Sequence, residues 1–104
     1  MRRKRYVFSP EAEQDLDGIK DYVTNEAGAR ISRQVLKQIK DAVTFLSRTP
    51  GAGHSREDLT GSAVRFWTVY SYLIIYRATS RPIEIVRIIH GSRDLSRLLS
   101  QDED

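Results

Sequence analysis

The sequence has no cysteine, which excludes disulfides and thiolate metal sites alike. It has two histidines, His54 and His90. They lie far apart, with no H-E-x-x-H or other ligand spacing, so no metal is expected. Gly51, Gly53 and Gly61 lack the lysine and the strand–helix setting of a phosphate loop, and no cofactor is expected. Ser92 is near His90 in sequence, but that does not establish the geometry of a Ser-His-Asp set. No apolar run approaches the ~20 residues of a membrane span. The basic start, Arg2, Arg3, Lys4 and Arg5, leads into YVFSPEAEQD, which is not the apolar core of a signal peptide. The hydrophobic fraction, 39%, is low and the charged fraction, 30%, is high. That balance fits a small domain with much surface, or one that completes its burial with a partner. The expectation is one cytoplasmic domain over residues 1–104, with a basic start at 1–5 and a disordered acidic tail at 100–104.

What the sequence has in abundance is concentrated in Val64 to Asp94. This stretch is dense in Val, Ile, Tyr, Phe and Trp, which suit a pleated, half-buried surface. Tyr70-Ser71 divides one apolar run from the next, and Ala78 to Pro82 carries the turn formers Ser80 and Pro82. Three strands are predicted, at 64–69, 72–78 and 83–89. Connections this short permit only antiparallel neighbours, because a parallel crossover needs about a dozen residues.

The first half reads as a short strand and two helices. RYVF at 5–8 is a strand candidate. Ser9 is an N-cap and Pro10 fits the first helical position. Ala12, Leu16, Ile19, Tyr22 and Val23 recur at spacings of three and four and mark an apolar face. Gly28 stops this helix. A second runs from Ala29 to about Arg48, with a stripe of Ile31, Val35, Ile39, Ala42, Val43 and Leu46 widened by Leu36 and Phe45. Pro50 and Gly51 end it. So short a break at Gly28 makes the pair a hairpin. The first helix carries six acids against Lys20, and the second is net basic. Residues 49–63 read as a loop. The order β-α-α-β-β-β predicts an α+β fold, with the hairpin packed on one face of a small antiparallel sheet. Periodicity does not say beside which strand the first one pairs.

Function is sought first in the cations. Arg65, Arg77 and Arg87 punctuate the strands, and His90 and Arg93 follow them. Guanidinium groups bind phosphate bidentately and stay charged, so this set could hold nucleic acid or an acidic partner. Solvated positions on a sheet face are the plainer alternative. Trp67, Tyr70, Tyr72 and Tyr76 could stack on bases or pack under the helices. His90 could be a general base or acid, a phosphate contact or a structural hydrogen-bonding group.

Three segments together resemble the ParE/RelE superfamily of type II toxins: FSPEAEQDLDGI at 8–19, YLIIYR at 72–77 and IVRIIHGSRDL at 85–95. The ParE branch fits best, since VRIIHGSRD looks like its usual chain end. The resemblance implies the fold already read, and a toxin with one of two activities. RelE-like members are ribosome-dependent mRNA endonucleases that set arginines, and in some members a tyrosine or histidine, around the scissile phosphate. ParE-like members are described as gyrase inhibitors with no nuclease set. Where RelE has a Tyr-Arg pair opening the second meander strand, this chain has Tyr72-Leu73. Leu99 falls where RelE carries a tyrosine, and Arg93 alone matches a functional arginine. Leucine can neither transfer a proton nor stabilise a phosphorane. The resemblance therefore implies a non-enzymatic gyrase inhibitor with no catalytic residues, Arg65, Arg77, Arg87, His90 and Arg93 being candidates for target binding. It also implies a ParD-type antitoxin, with Leu36 and Phe45 as candidate contacts. A RelE-like mRNA endonuclease is the alternative, and a plain interaction module is a third.

Overall fold

The computed structural model describes residues 5–55 and 64–90. Its elements are β1 (Tyr6–Phe8), α1 (Pro10–Ala27), α2 (Ala29–Arg48), a 3-10 turn (Pro50–Ala52), β2 (His54–Ser55), β3 (Val64–Val69), β4 (Tyr72–Arg77) and β5 (Ile83–His90). Local chemistry sets the helix ends. The Ser9 hydroxyl accepts from the Ala12 N–H at 3.0 Å and donates to the Val86 carbonyl at 2.7 Å, joining the helix start to the sheet. Gly28, at φ 92°, takes a backbone conformation that side chains disfavour, and the hairpin turns there.

The sheet has five strands in the order β1-β5-β4-β3-β2. It is antiparallel from β2 to β5, as expected, but β1 runs parallel to β5 through Tyr6↔Ile83 and Phe8↔Ile85. The helix hairpin and strands β2 to β4 intervene in the chain between them, ample for the long connection that a parallel pair requires. A second difference is β2, two residues inside the segment read as loop, pairing with Phe66 and Arg65. Ile75 pairs with Arg87 and Tyr76 with Ile85, so Val86 is passed over as a bulge.

The hairpin lies on one sheet face, as predicted. Ala12, Ile19, Val23, Ile39, Val43 and Leu46 from the helices meet Ile74, Tyr76, Ile83, Ile85 and Ile88 from the strands. Leu16 and Val35 pack at the margin of this core. On the other face, Val64, Phe66, Ile75 and Ile89 form a smaller cluster with Leu73 and Val86. No helix among the described residues is long and apolar enough to cross a membrane.

Beyond Phe8, β5 would present an open edge. Ser9 and Asp15 take it over. The Asp15 carboxylate accepts from the Ile88 N–H at 2.9 Å and holds the Arg87 guanidinium by two bonds, 2.8 and 3.1 Å. A sheet edge capped in this way is blunted against stray pairing.

Candidate functional site

The cations proposed for target binding go to separate places. Arg65 lies on the helix-covered face and donates from Nη1 to the Gly53 carbonyl at 2.8 Å. Arg77 shares the opposite face with Leu73 and Ile75, as alternation predicts, and pairs with Glu84 at 3.0 Å. Arg87 reaches around the β5 edge to Asp15. His90 stands at the far end of the sheet from Arg77, edge-on to Tyr72 with ring centroids 5.7 Å apart. These four do not gather in one concavity. Arg93, like Leu99, lies outside the described residues.

The aromatics divide similarly. Tyr76 is fully buried. Its hydroxyl donates to the Pro50 carbonyl at 2.6 Å and accepts from the Gly53 N–H at 2.9 Å, fixing the turn after α2 to the sheet. A Cβ at Gly53 would collide with that hydroxyl and lie 2.9 Å from the Phe66 carbonyl oxygen, so glycine is needed there. Nothing in the sequence marked Tyr76 as this latch, because its partners lie more than twenty residues away. Burial pushes the Tyr76 phenol up from its ordinary value, against smaller opposing effects of the Gly53 N–H and Arg65. The raised value means that the folded state holds the proton more tightly than the unfolded chain. Its stabilisation is therefore complete below the unfolded value near 10 and is lost as pH rises through the folded value. Urea midpoints measured between pH 8 and pH 11 should hold up to about pH 10, the unfolded value, and fall above it in the native protein. Tyr76→Phe should be less stable at pH 8, by about 1–3 kcal/mol for the orphaned Gly53 N–H, but should lose less over the alkaline range.

Two clefts border the helix hairpin at the Tyr72 end of the sheet. One, of about 480 Å³, runs between α1 and the ends of β4 and β5. Gln14, Asp15, Gly18 and Ile19 form its helix side, and Tyr22, Tyr72 and His90 its rim. Burial, with a smaller effect of Tyr22, raises the Tyr72 phenol. Tyr22, counted in the apolar stripe by spacing, is instead 62% exposed, because Val23 takes the inward position one residue on. The second cleft, about 420 Å³, lies between α2 and β3 and is lined by Ala42, Phe45, Trp67 and Val69 among others. Phe45 is 43% exposed and tilts against Trp67 with centroids 5.3 Å apart. Leu36 packs, partly buried, against the main core. Val69 pairs directly with Tyr72, so the two clefts adjoin. Among the described residues no group of acids and histidines could hold a metal.

A helix hairpin on a mixed five-stranded sheet is the α+β architecture of the toxins that the sequence resembles. The family described as ParE toxin of type II toxin-antitoxin system, parDE, matches residues 6–95, and the chain belongs to it. It is 27% identical over 96 residues to Toxin ParE1 of Mycobacterium tuberculosis, covering 91% of this chain and 97% of that one. It is 28% identical over 87 residues to Toxin ParE3 of Caulobacter vibrioides, covering 84% and 86%. The fold is similar to a chain from a solved structure described as the chromosomal ParDE TA system from P. aeruginosa. The TM-score is 0.70 at 23% identity, over 82% of this chain and 92% of that one.

Proposed function

We propose that this toxin inhibits DNA gyrase by binding, without covalent chemistry of its own, and that a ParD-type antitoxin neutralises it in the cytoplasm. The observation that carries this reading over the nuclease is the dispersal of the cations. Arg65, Arg77 and Arg87 are each engaged within the fold and point to different places. A phosphoryl-transfer centre needs its charges convergent on one atom's path. Leu73, at the position of a nuclease arginine, packs instead in the smaller apolar cluster. For the antitoxin, the half-exposed Phe45 over Trp67 offers an aromatic anchor of the kind that dominates protein interfaces; Leu36, mostly committed to the core, adds a margin.

The test is a supercoiling and cleavage assay with gyrase, run beside mRNA cleavage on programmed ribosomes. Inhibited supercoiling with accumulation of cut DNA is expected, and Arg93→Ala should weaken it. His90→Ala should act only through local structure. RNA cleavage abolished by His90→Ala or Arg93→Ala would transfer the function to the nuclease alternative.

A further inference from the structure

At one end of the molecule, two residues run against local backbone preference. Gly18 sits inside α1, where glycine weakens a helix relative to alanine. Nothing in the fold requires it: a Cβ there would meet no atom within 4 Å. Tyr70 is the reverse case. It is the first residue of the two-residue loop joining β3 to β4, at φ 54°, where glycine is favoured. It is also 62% exposed. Tyr72, two residues beyond Tyr70 in the chain, lines the same cleft as Gly18. Local stability would choose the opposite residue at each place. A close approach by another molecule accounts for both: the missing side chain leaves room, and the displayed tyrosine gives a grip.

We infer that the cleft between Gly18, Tyr22 and Tyr72, with Tyr70 beside it, is a socket for a bulky apolar side chain of the antitoxin, flanked there by lysine or arginine. The inference rests on the antitoxin reading above and names the surface and the chemistry. Charge selects the flanking residues. Asp21 lies three residues from Gly18, and Glu26 four from Tyr22, so both adjoin the socket on the helix surface. Both are exposed, and Lys20 is the one cation that α1 carries. An acidic segment would be repelled there, and a basic one drawn in. Ile19 and the two tyrosine rings give the apolar walls, and an aromatic face also accepts a cation. The socket adjoins the Phe45–Trp67 cleft, so one antitoxin segment can span both.

The test uses the full-length toxin and its full-length ParD-type antitoxin. Gly18→Ala should raise Tm by about 4–8 °C and weaken antitoxin binding, less than a larger side chain would, because its Cβ takes up part of the room. Gly18→Trp, which fills the socket, should keep the native circular dichroism and weaken the Kd by at least about 30-fold, the scale of losing one central anchor. Tyr70→Gly relieves the loop and should weaken binding by about 5–10-fold without lowering Tm, and so decides the matter if Gly18→Trp does not fold. Native Kd values for both Gly18→Trp and Tyr70→Gly would overturn the socket. So would antitoxin binding kept while gyrase inhibition is lost, since the occupant would then be the target. If the unsubstituted toxin neither binds the antitoxin nor is neutralised by it, the antitoxin reading itself falls, and the socket with it; that control separates the two failures.

Discussion

Replacing Ile39 by alanine should cost about 2–5 kcal/mol, the range for emptying a buried aliphatic site. Ile39 is 0% exposed on α2 and sits within the main core cluster, where the hairpin meets the sheet. The substitution removes its burial free energy and leaves a hole. Val43 and Leu46 on the same helix, themselves fully buried, leave little slack for collapse. A domain of this size has about 5–15 kcal/mol in total, so the variant would be close to unfolding. Urea denaturation measures the loss directly through the midpoint at unchanged slope. Ile39→Val, which deletes one methyl group, should cost about 0.5–1.5 kcal/mol. The ratio of the two losses separates a packing effect from a change in helix propensity, because alanine is the better helix former and valine the worse. A loss below about 0.5 kcal/mol for the alanine variant would place Ile39 at a surface and undo the packing described above. The antitoxin should raise the apparent stability of the native protein and of the variant alike by mass action.

The helices and the three long strands are legible in the sequence because local chemistry determines them. Ser9-Pro10, Gly28 and Pro50 punctuate the chain within two residues of the observed helix ends, and Tyr70-Ser71 is the hairpin loop. What depends on distant partners is not legible. Tyr6–Phe8 is too short for its pattern to choose a neighbour, and its parallel partner β5 lies far along the chain. His54 and Ser55 become a strand only because β3 offers an edge. The bulge at Val86 breaks strict alternation, so counting by twos misplaces the residues beyond it relative to those before. The candidate site shows the same division. That the arginines stand on or near the strands was readable. That Gly53, Glu84 and Asp15 claim three of them was not, since none of these partners is implied by spacing. Phe45 widens the apolar stripe of its helix, and it is half exposed for that reason: the stripe is broader than the sheet beneath it can cover.

Asp15→Ala should be the most damaging change outside the core, at about 2–4 kcal/mol. The carboxylate makes three bonds, two to Arg87 and one to the Ile88 N–H. Asp15 is 16% exposed and Arg87 35%, so the pair is neither a solvated surface bridge, worth under about 1 kcal/mol, nor a fully buried one, whose breaking costs about 3–5 kcal/mol. The lost acceptor at Ile88 adds a backbone N–H at the sheet edge with nothing to bond. Asp15→Asn isolates the charge. Its amide oxygen can still accept one bond, so about half of the loss should return. Arg87→Ala tests from the other side whether this cation belongs to the fold or to a target. In a double-mutant cycle with Asp15→Ala, a coupling of about 1–2 kcal/mol is expected for groups in direct contact. Toxicity should then fall only as far as the folded fraction falls, for either single variant. A coupling near zero, with Arg87→Ala fully stable and inactive, would return Arg87 to the target-binding surface and make Asp15 merely its neighbour.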